Sequence, residues 1–119
     1  WSRTFPEGTH SMVLLRVRMK FRPEQVDQVL ASVRRTLEPT RVQNGCLDCR
    51  TYVCAEDPDC VLYLEEWRDM TVLKRRLQQG GLKVLMSVME CAADKPDVRL
   101  EETAESGAIQ LLAADRRKS

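Results

Sequence analysis

Imidazole and aromatic chemistry have few carriers in this sequence. Among 119 residues there is one histidine, His10, and Trp, Tyr and Phe occur twice each. Net charge is close to nothing as well. Nineteen Lys and Arg against eighteen Asp and Glu leave +1, which gives no electrostatic case for a nucleic-acid or anionic-membrane partner. Arg34-Arg35 and Lys74-Arg75-Arg76 are short basic clusters without interleaved aromatics. They read as solvated helix faces and do not support single-strand binding. No apolar run approaches the ~20 residues of a membrane-spanning helix. Met12 to Leu15 is broken by Arg16 and Arg18, so it is not a signal-peptide core either. The expected location is the cytoplasm, where thiols stay reduced.

Cysteine is present in an odd number, five, at positions 46, 49, 54, 60 and 91. A secreted disulfide framework uses even counts in a loop-rich chain, so none is expected. A hydrophobic fraction of 43% in 119 residues suits one folded domain. Residues 1–11 lack periodicity, and Gly8-Thr9-His10-Ser11-Met12 reads as a leader before a start methionine. The domain is expected over residues 12–104, followed by a tail, 105–119. Within the tail Ala108 to Ala114 is a short apolar helix candidate that should pack on something.

The domain begins with an alternating run, Met12 to Phe21, that predicts a half-buried strand with one slip near Leu15. Pro23 suits the first position of a helix, with Glu24 beside its positive end. Val26, Val29, Leu30, Val33 and Leu37 recur at helical steps, and Pro39 is expected to end the regular part. Leu47 to Cys54 and Cys60 to Trp67 read as strands joined by the polar turn Ala55 to Asp59. Pairing Cys54 with Cys60 places Thr51 opposite Tyr63, Cys49 opposite Glu65 and Leu47 opposite Trp67. Asp69 or Thr71 can cap a second helix with Val72, Leu73 and Leu77 inward. Gly80-Gly81 interrupts it, and Leu82, Val84, Leu85, Val88 and Met89 resume the pattern. Met70, Met86 and Met89 read as core. Asp97 to Thr103 is a fourth strand with Val98 and Leu100 inward.

Strand, helix, strand, strand, helix, strand is the split-βαβ, ferredoxin-like order of an α+β domain: an antiparallel sheet with helices on one face. The other face needs a cover, and a second copy of the same sheet is the economical one. A homodimer is therefore expected.

Cys46-x-x-Cys49 invites a zinc or redox reading. Side chains alternate along strands, so Cys49 should point away from Cys54 and Cys60, and no metal site is expected. The pair also opens a strand, whereas a redox pair usually opens a helix. Cys54 and Cys60 should face each other as free thiols, since a disulfide between adjacent strands would be strained.

The stretch from Pro39 to Leu77 resembles the antibiotic-biosynthesis-monooxygenase family of dimeric α/β-barrel proteins. The carriers are Asn44-Gly45-Cys46-Leu47, Glu56-Asp57-Pro58, the third-strand signature Leu62-Tyr63-Leu64-Glu65-Glu66-Trp67, and Asp69 to Leu77. Met12 to Glu24 fits the first strand and its exit. The resemblance implies a cofactor-free oxygenase acting on a small aromatic or quinol, with a cavity between sheet and helices that Trp67 lines. This chain departs from the family in four places. Arg76 stands where many relatives carry a histidine, and Gly81 where a second often falls. Cys49 replaces a usual tyrosine. Arg16 or Val17 stands at the asparagine of the haem-degrading members, so haem degradation is not expected.

Glu65 beside Trp67 is the candidate catalytic group. A carboxylate against an indole in a pocket suits proton abstraction; alternatively Glu65 pairs with Arg76. Trp67, Tyr63, Cys49 and Arg76 are the candidate substrate-binding residues. Two functions stay open: an oxygenase needing no metal or flavin, and a non-catalytic dimeric binding or regulatory module of the same fold.

Overall fold

The computed structural model describes residues 11–104. The expected leader up to residue 10 and the expected tail helix fall outside the described residues. The elements are β1 (Ser11–Lys20), α1 (Val26–Arg41), β2 (Cys46–Cys54), β3 (Asp57–Trp67), α2 (Met70–Gln78), α3 (Lys83–Glu90) and β4 (Asp97–Ala104). All pairings are antiparallel, and the sheet order is β2-β3-β1-β4. This is the ferredoxin-like α+β fold.

The alternation in β1 turns out to have no slip. Val13, Leu15, Val17 and Met19 all face the helices and are buried, while Leu14, Arg16, Arg18 and Lys20 face the other way. From Met12 to Leu15 the strand is apolar on both of its faces, which disguises a regular period of two. A single 3₁₀ turn, Pro23–Gln25, leads into α1, whose Val26, Val29 and Val33 pack on the sheet. The helix runs past Pro39 to Arg41 rather than ending there. Proline withholds only its own N–H, and the ladder resumes with Val42 N–H on the Glu38 carbonyl at 3.3 Å.

The middle of the β2–β3 hairpin keeps the expected register: Cys49 opposite Glu65, Thr51 opposite Tyr63, Val53 opposite Val61. Both ends differ. Cys54 lies opposite Asp57, not Cys60, across a tight Ala55-Glu56 turn, and an irregularity after Val53 absorbs the extra residues of β3. At the other end Cys46, not Leu47, lies opposite Trp67. Leu47 is the extra residue of a bulge and is 54% exposed. A bulge adds a residue to one strand and turns it locally, which a period-two pattern does not announce.

Asp69 caps α2, its carboxylate accepting from Val72 N–H at 2.9 Å. Val72 and Leu73 face inward as expected, but the next inward residue is Arg76, and Leu77 is left exposed. In α3 the buried stripe is Leu85 and Val88, with Leu82 and Met89 flanking. Val84 and Met86 lie outside it and are exposed, so Met86 is not core. Val98 and Leu100 pair with Val17 and Leu15 and share the helix face. They stay about half exposed, at 51% and 48%, because β4 is an edge strand beyond the helices.

Candidate functional site

A strand of period two presents every second side chain to one face, and β3 uses this to line up Tyr63, Glu65 and Trp67 under the helices. All three are fully buried, and so is Cys49, opposite Glu65 on β2. α2 adds Arg76, which is 4% exposed. Arg76 Nε donates to Glu65 Oε1 at 3.0 Å and Nη2 donates to Oε2 at 2.7 Å. Trp67 Nε1 donates to Oε1 at 2.8 Å, and the Tyr63 hydroxyl donates to Oε2. A carboxylate has four acceptor positions, and here each has a donor. Of the two readings of Glu65, the paired one is realised.

The network reaches further on both sides. The Arg76 guanidinium carbon sits 5.3 Å from the Trp67 ring centroid, in cation–π range. Its Nη2 also donates to Thr40 Oγ1 at 3.3 Å. Thr40, buried at the end of α1, is a member that no sequence signal pointed to. Cys49 Sγ lies 3.3 Å from the Tyr63 hydroxyl, and Arg41 Nε donates to the Cys49 carbonyl at 2.9 Å.

Burial sets the electrostatics. It would lower the Arg76 pKa, but the hydrogen bonds and charge of Glu65 more than offset this and raise it. Burial raises the Tyr63 hydroxyl, and the Glu65 charge adds to the effect. The Cys49 thiol is raised by burial, only partly offset by its bond to Tyr63. Cys46 is pushed up to about 11, first by burial and then by the charges of Cys49 and Glu65. Cys60 is also pushed up to about 11, by burial and then by its hydrogen bond with Cys54. All five cysteines are free. Cys49 lies on the helix face and Cys60, paired with Lys20, on the opposite one.

Above the network a cleft of about 200 Å³ opens between α2 and the α1–β2 loop. Trp67, Val72, Arg75 and Arg76 border it, with the amides of Gln43, Asn44 and Gln79. Of the expected binding residues, Trp67 and Arg76 reach this cleft, while Tyr63, Cys49 and the candidate base Glu65 lie beneath. Two glycines shape it. Gly45 has φ +90°, and a Cβ there would stand 2.6 Å from Val72 Cγ1, so the loop can approach α2 only as glycine. A Cβ on Gly81 would stand 2.6 Å from Arg76 Cγ and 2.7 Å from Nη1. Arg76 and Gly81, the two positions where the resemblance implies histidines, are thus in contact.

Residues 12–86 match the family model described as antibiotic biosynthesis monooxygenase. The chain belongs to the antibiotic biosynthesis monooxygenase family. Membership supports a monooxygenase-like role. Solved structures share the fold at low identity. A conserved protein of Methanosarcina mazei has a TM-score of 0.69 and 22% identity, covering 76% of this chain and 90% of that one. A structure described as an antibiotic biosynthesis monooxygenase has 0.66 and 23%, covering 76% and 97%. Rv0793 of Mycobacterium tuberculosis has 0.65 and 22%, covering 76% and 92%. No curated protein matches the chain. Among the described residues no helix is long and apolar enough to cross a membrane.

Proposed function

We propose that this member of the family is a cofactor-independent monooxygenase for a small aromatic or quinol, working as a homodimer with the substrate in the cleft beside Trp67. The observation that carries this is the cleft itself: an indole fixed at its base by Glu65 and Arg76, with hydrogen-bond donors and no carboxylate around it. In such a reaction the substrate is the reductant. A ring C–H ortho or para to a phenol hydroxyl and that hydroxyl together lose two hydrogens, giving a quinone. One oxygen atom of O₂ becomes the carbonyl and the other leaves as water. A quinol instead passes two electrons and two protons to O₂, giving quinone and hydrogen peroxide.

Arg75 and Arg76 favour the phenolate form that O₂ attacks, because cations placed where negative charge develops lower the barrier. Trp67, fully buried, carries the Arg76 guanidinium over its ring at the base of the cleft. Glu65, with every acceptor position taken, holds Arg76 and Trp67 in place, and the substrate proton leaves to solvent at the cleft mouth. Tyr63 and Cys49 support Glu65 from below. The dimer reading rests on the open sheet face, where Leu14, Leu62 and Leu64 are half-buried, Tyr52 is exposed and none of the described helices lies.

A second reading, a non-catalytic binding or regulatory module, is favoured by the same saturation of Glu65. Oxygen uptake and product formation with a series of quinols and hydroxylated aromatics, protein against buffer, separate the two. Turnover above buffer that falls in Trp67→Phe supports the monooxygenase. Binding without uptake supports the module, and no binding at all discards both.

A further inference from the structure

We infer that the cleft takes a single-ring aromatic carboxylate. This rests on the reading that the cleft beside Trp67 is the ligand site, and it adds the size and charge of what enters.

Size comes first. The volume of about 200 Å³ falls below the ~300–1,000 Å³ of pockets that enclose drug-sized ligands. One ring with small substituents fills it, whereas a fused three-ring system projects past its mouth into solvent and gains little further contact. The α1–β2 loop beside it is pinned. Gly45 packs against Val72 with no room to spare, and its carbonyl accepts from Arg68 N–H at 2.8 Å.

Charge comes second. The lining holds two guanidinium groups, three amides and no acid. Glu65 matches the charge of Arg76, whose Nε and Nη2 are engaged. Its Nη1 gives no hydrogen bond to another described residue, and it lies against Gly81, which presents no side chain. Arg75 is exposed and makes no ion pair among the described residues. The cleft therefore offers an unmatched positive charge and free N–H donors to an oxyanion. At neutral pH a carboxylate supplies one, since its pKa is ~4, whereas a simple phenol with pKa ~10 stays neutral. Arginine holds a carboxylate through paired, charge-assisted hydrogen bonds, which a neutral hydroxyl cannot match. Val72 at the cleft wall gives the ring its apolar contact, above the buried Trp67.

The test follows Trp67 fluorescence at neutral pH in a Trp1→Phe background, which removes the other indole. The probes are para-hydroxybenzoate, hydroquinone and anthracene carboxylate. We expect para-hydroxybenzoate to bind about tenfold tighter than either of the others, a margin of ~1.4 kcal/mol. Arg75→Gln, an exposed change that leaves the core intact, should erase its margin over hydroquinone. Hydroquinone binding as tightly as para-hydroxybenzoate overturns the charge argument but leaves the cleft as the ligand site. Equal binding of anthracene carboxylate overturns the size argument. A Trp67 signal that answers to none of the three removes the cleft reading together with this inference.

Discussion

Arg76 and Glu65 meet through two parallel hydrogen bonds, at 3.0 and 2.7 Å, where Glu65 is fully buried and Arg76 keeps only its edge at the cleft. Such a pair is not a large net source of stability, because two charges must leave water to form it. Breaking it from one side is costly, since the other charge is left buried and unmatched. Glu65→Gln and Arg76→Gln should therefore each destabilise the fold by about 3–5 kcal/mol. Glu65→Leu with Arg76→Met should recover most of that loss. Urea unfolding of the singles and the double checks this. Additive losses in the double would mean that the two side chains are not coupled.

Much of this arrangement can be read from sequence, and the unread parts have physical causes. The strand signature from Leu62 to Trp67 placed Tyr63, Glu65 and Trp67 on one face because side chains alternate, and the register around Cys49 and Thr51 followed from that. The slip at Leu47 did not follow, because a bulge depends on how the Gly45 turn meets α2. In the sequence Arg76 belongs both to a basic cluster that reads as a solvated face and to the candidate partners of Glu65. Helical spacing from Val72 and Leu73 allows either Arg76 or Leu77 inward, and charge argues for Leu77. Only the presence of Glu65 underneath makes the arginine the better inward residue. Thr40 was invisible because its role depends on where the end of α1 lies relative to α2.

Gly81 should tolerate no side chain. Its Cβ would meet Arg76 Cγ, Nη1 and the Arg76 carbonyl oxygen at 2.6, 2.7 and 3.0 Å. Gly81→Ala should cost about 1–3 kcal/mol, as overpacking does elsewhere. It should also weaken ligand binding by displacing Arg76. Thermal unfolding and Trp67 fluorescence together measure this, and an unchanged midpoint with unchanged binding would contradict it.

Thiol reactivity should follow burial and pH. The thiolate is the reactive form, so a raised pKa delays reaction to higher pH. Cys46 and Cys60, both pushed up to about 11, should alkylate slowly at neutral pH and faster as pH approaches that value. Cys91 is exposed and should be labelled first, while Cys49, at 0% exposure, should wait for unfolding. Mass spectrometry after timed iodoacetamide treatment gives the order. Early labelling of Cys49 in the folded protein would show that the Tyr63–Glu65 layer opens.

The open face of the sheet should be covered by a second copy. Leu14, Leu62, Leu64 and Tyr52 form its apolar centre, framed by the ion pairs Arg16–Glu101 at 3.1 Å and Arg18–Asp97 at 3.6 Å. A specific dimer should bury at least ~1,200 Å² in total. Sedimentation at micromolar protein should give a dimer, and Leu62→Glu with Leu64→Glu should give a folded monomer. A monomeric parent would contradict this.

The placement of the ligand site is tested most directly by nitrogen-15 NMR of the side chains during titration with a small aromatic ligand. The indole N–H of Trp67 and the Nε–H of Arg76 have distinct signals, and both donate to Glu65 directly beneath the cleft that their side chains border. These two signals should shift first and saturate together, with the Gln43, Asn44 and Gln79 side-chain amides following. Shifts that gather instead on the open sheet face, at Arg16, Arg18 and Arg99, with Trp67 and Arg76 unmoved, would contradict that placement.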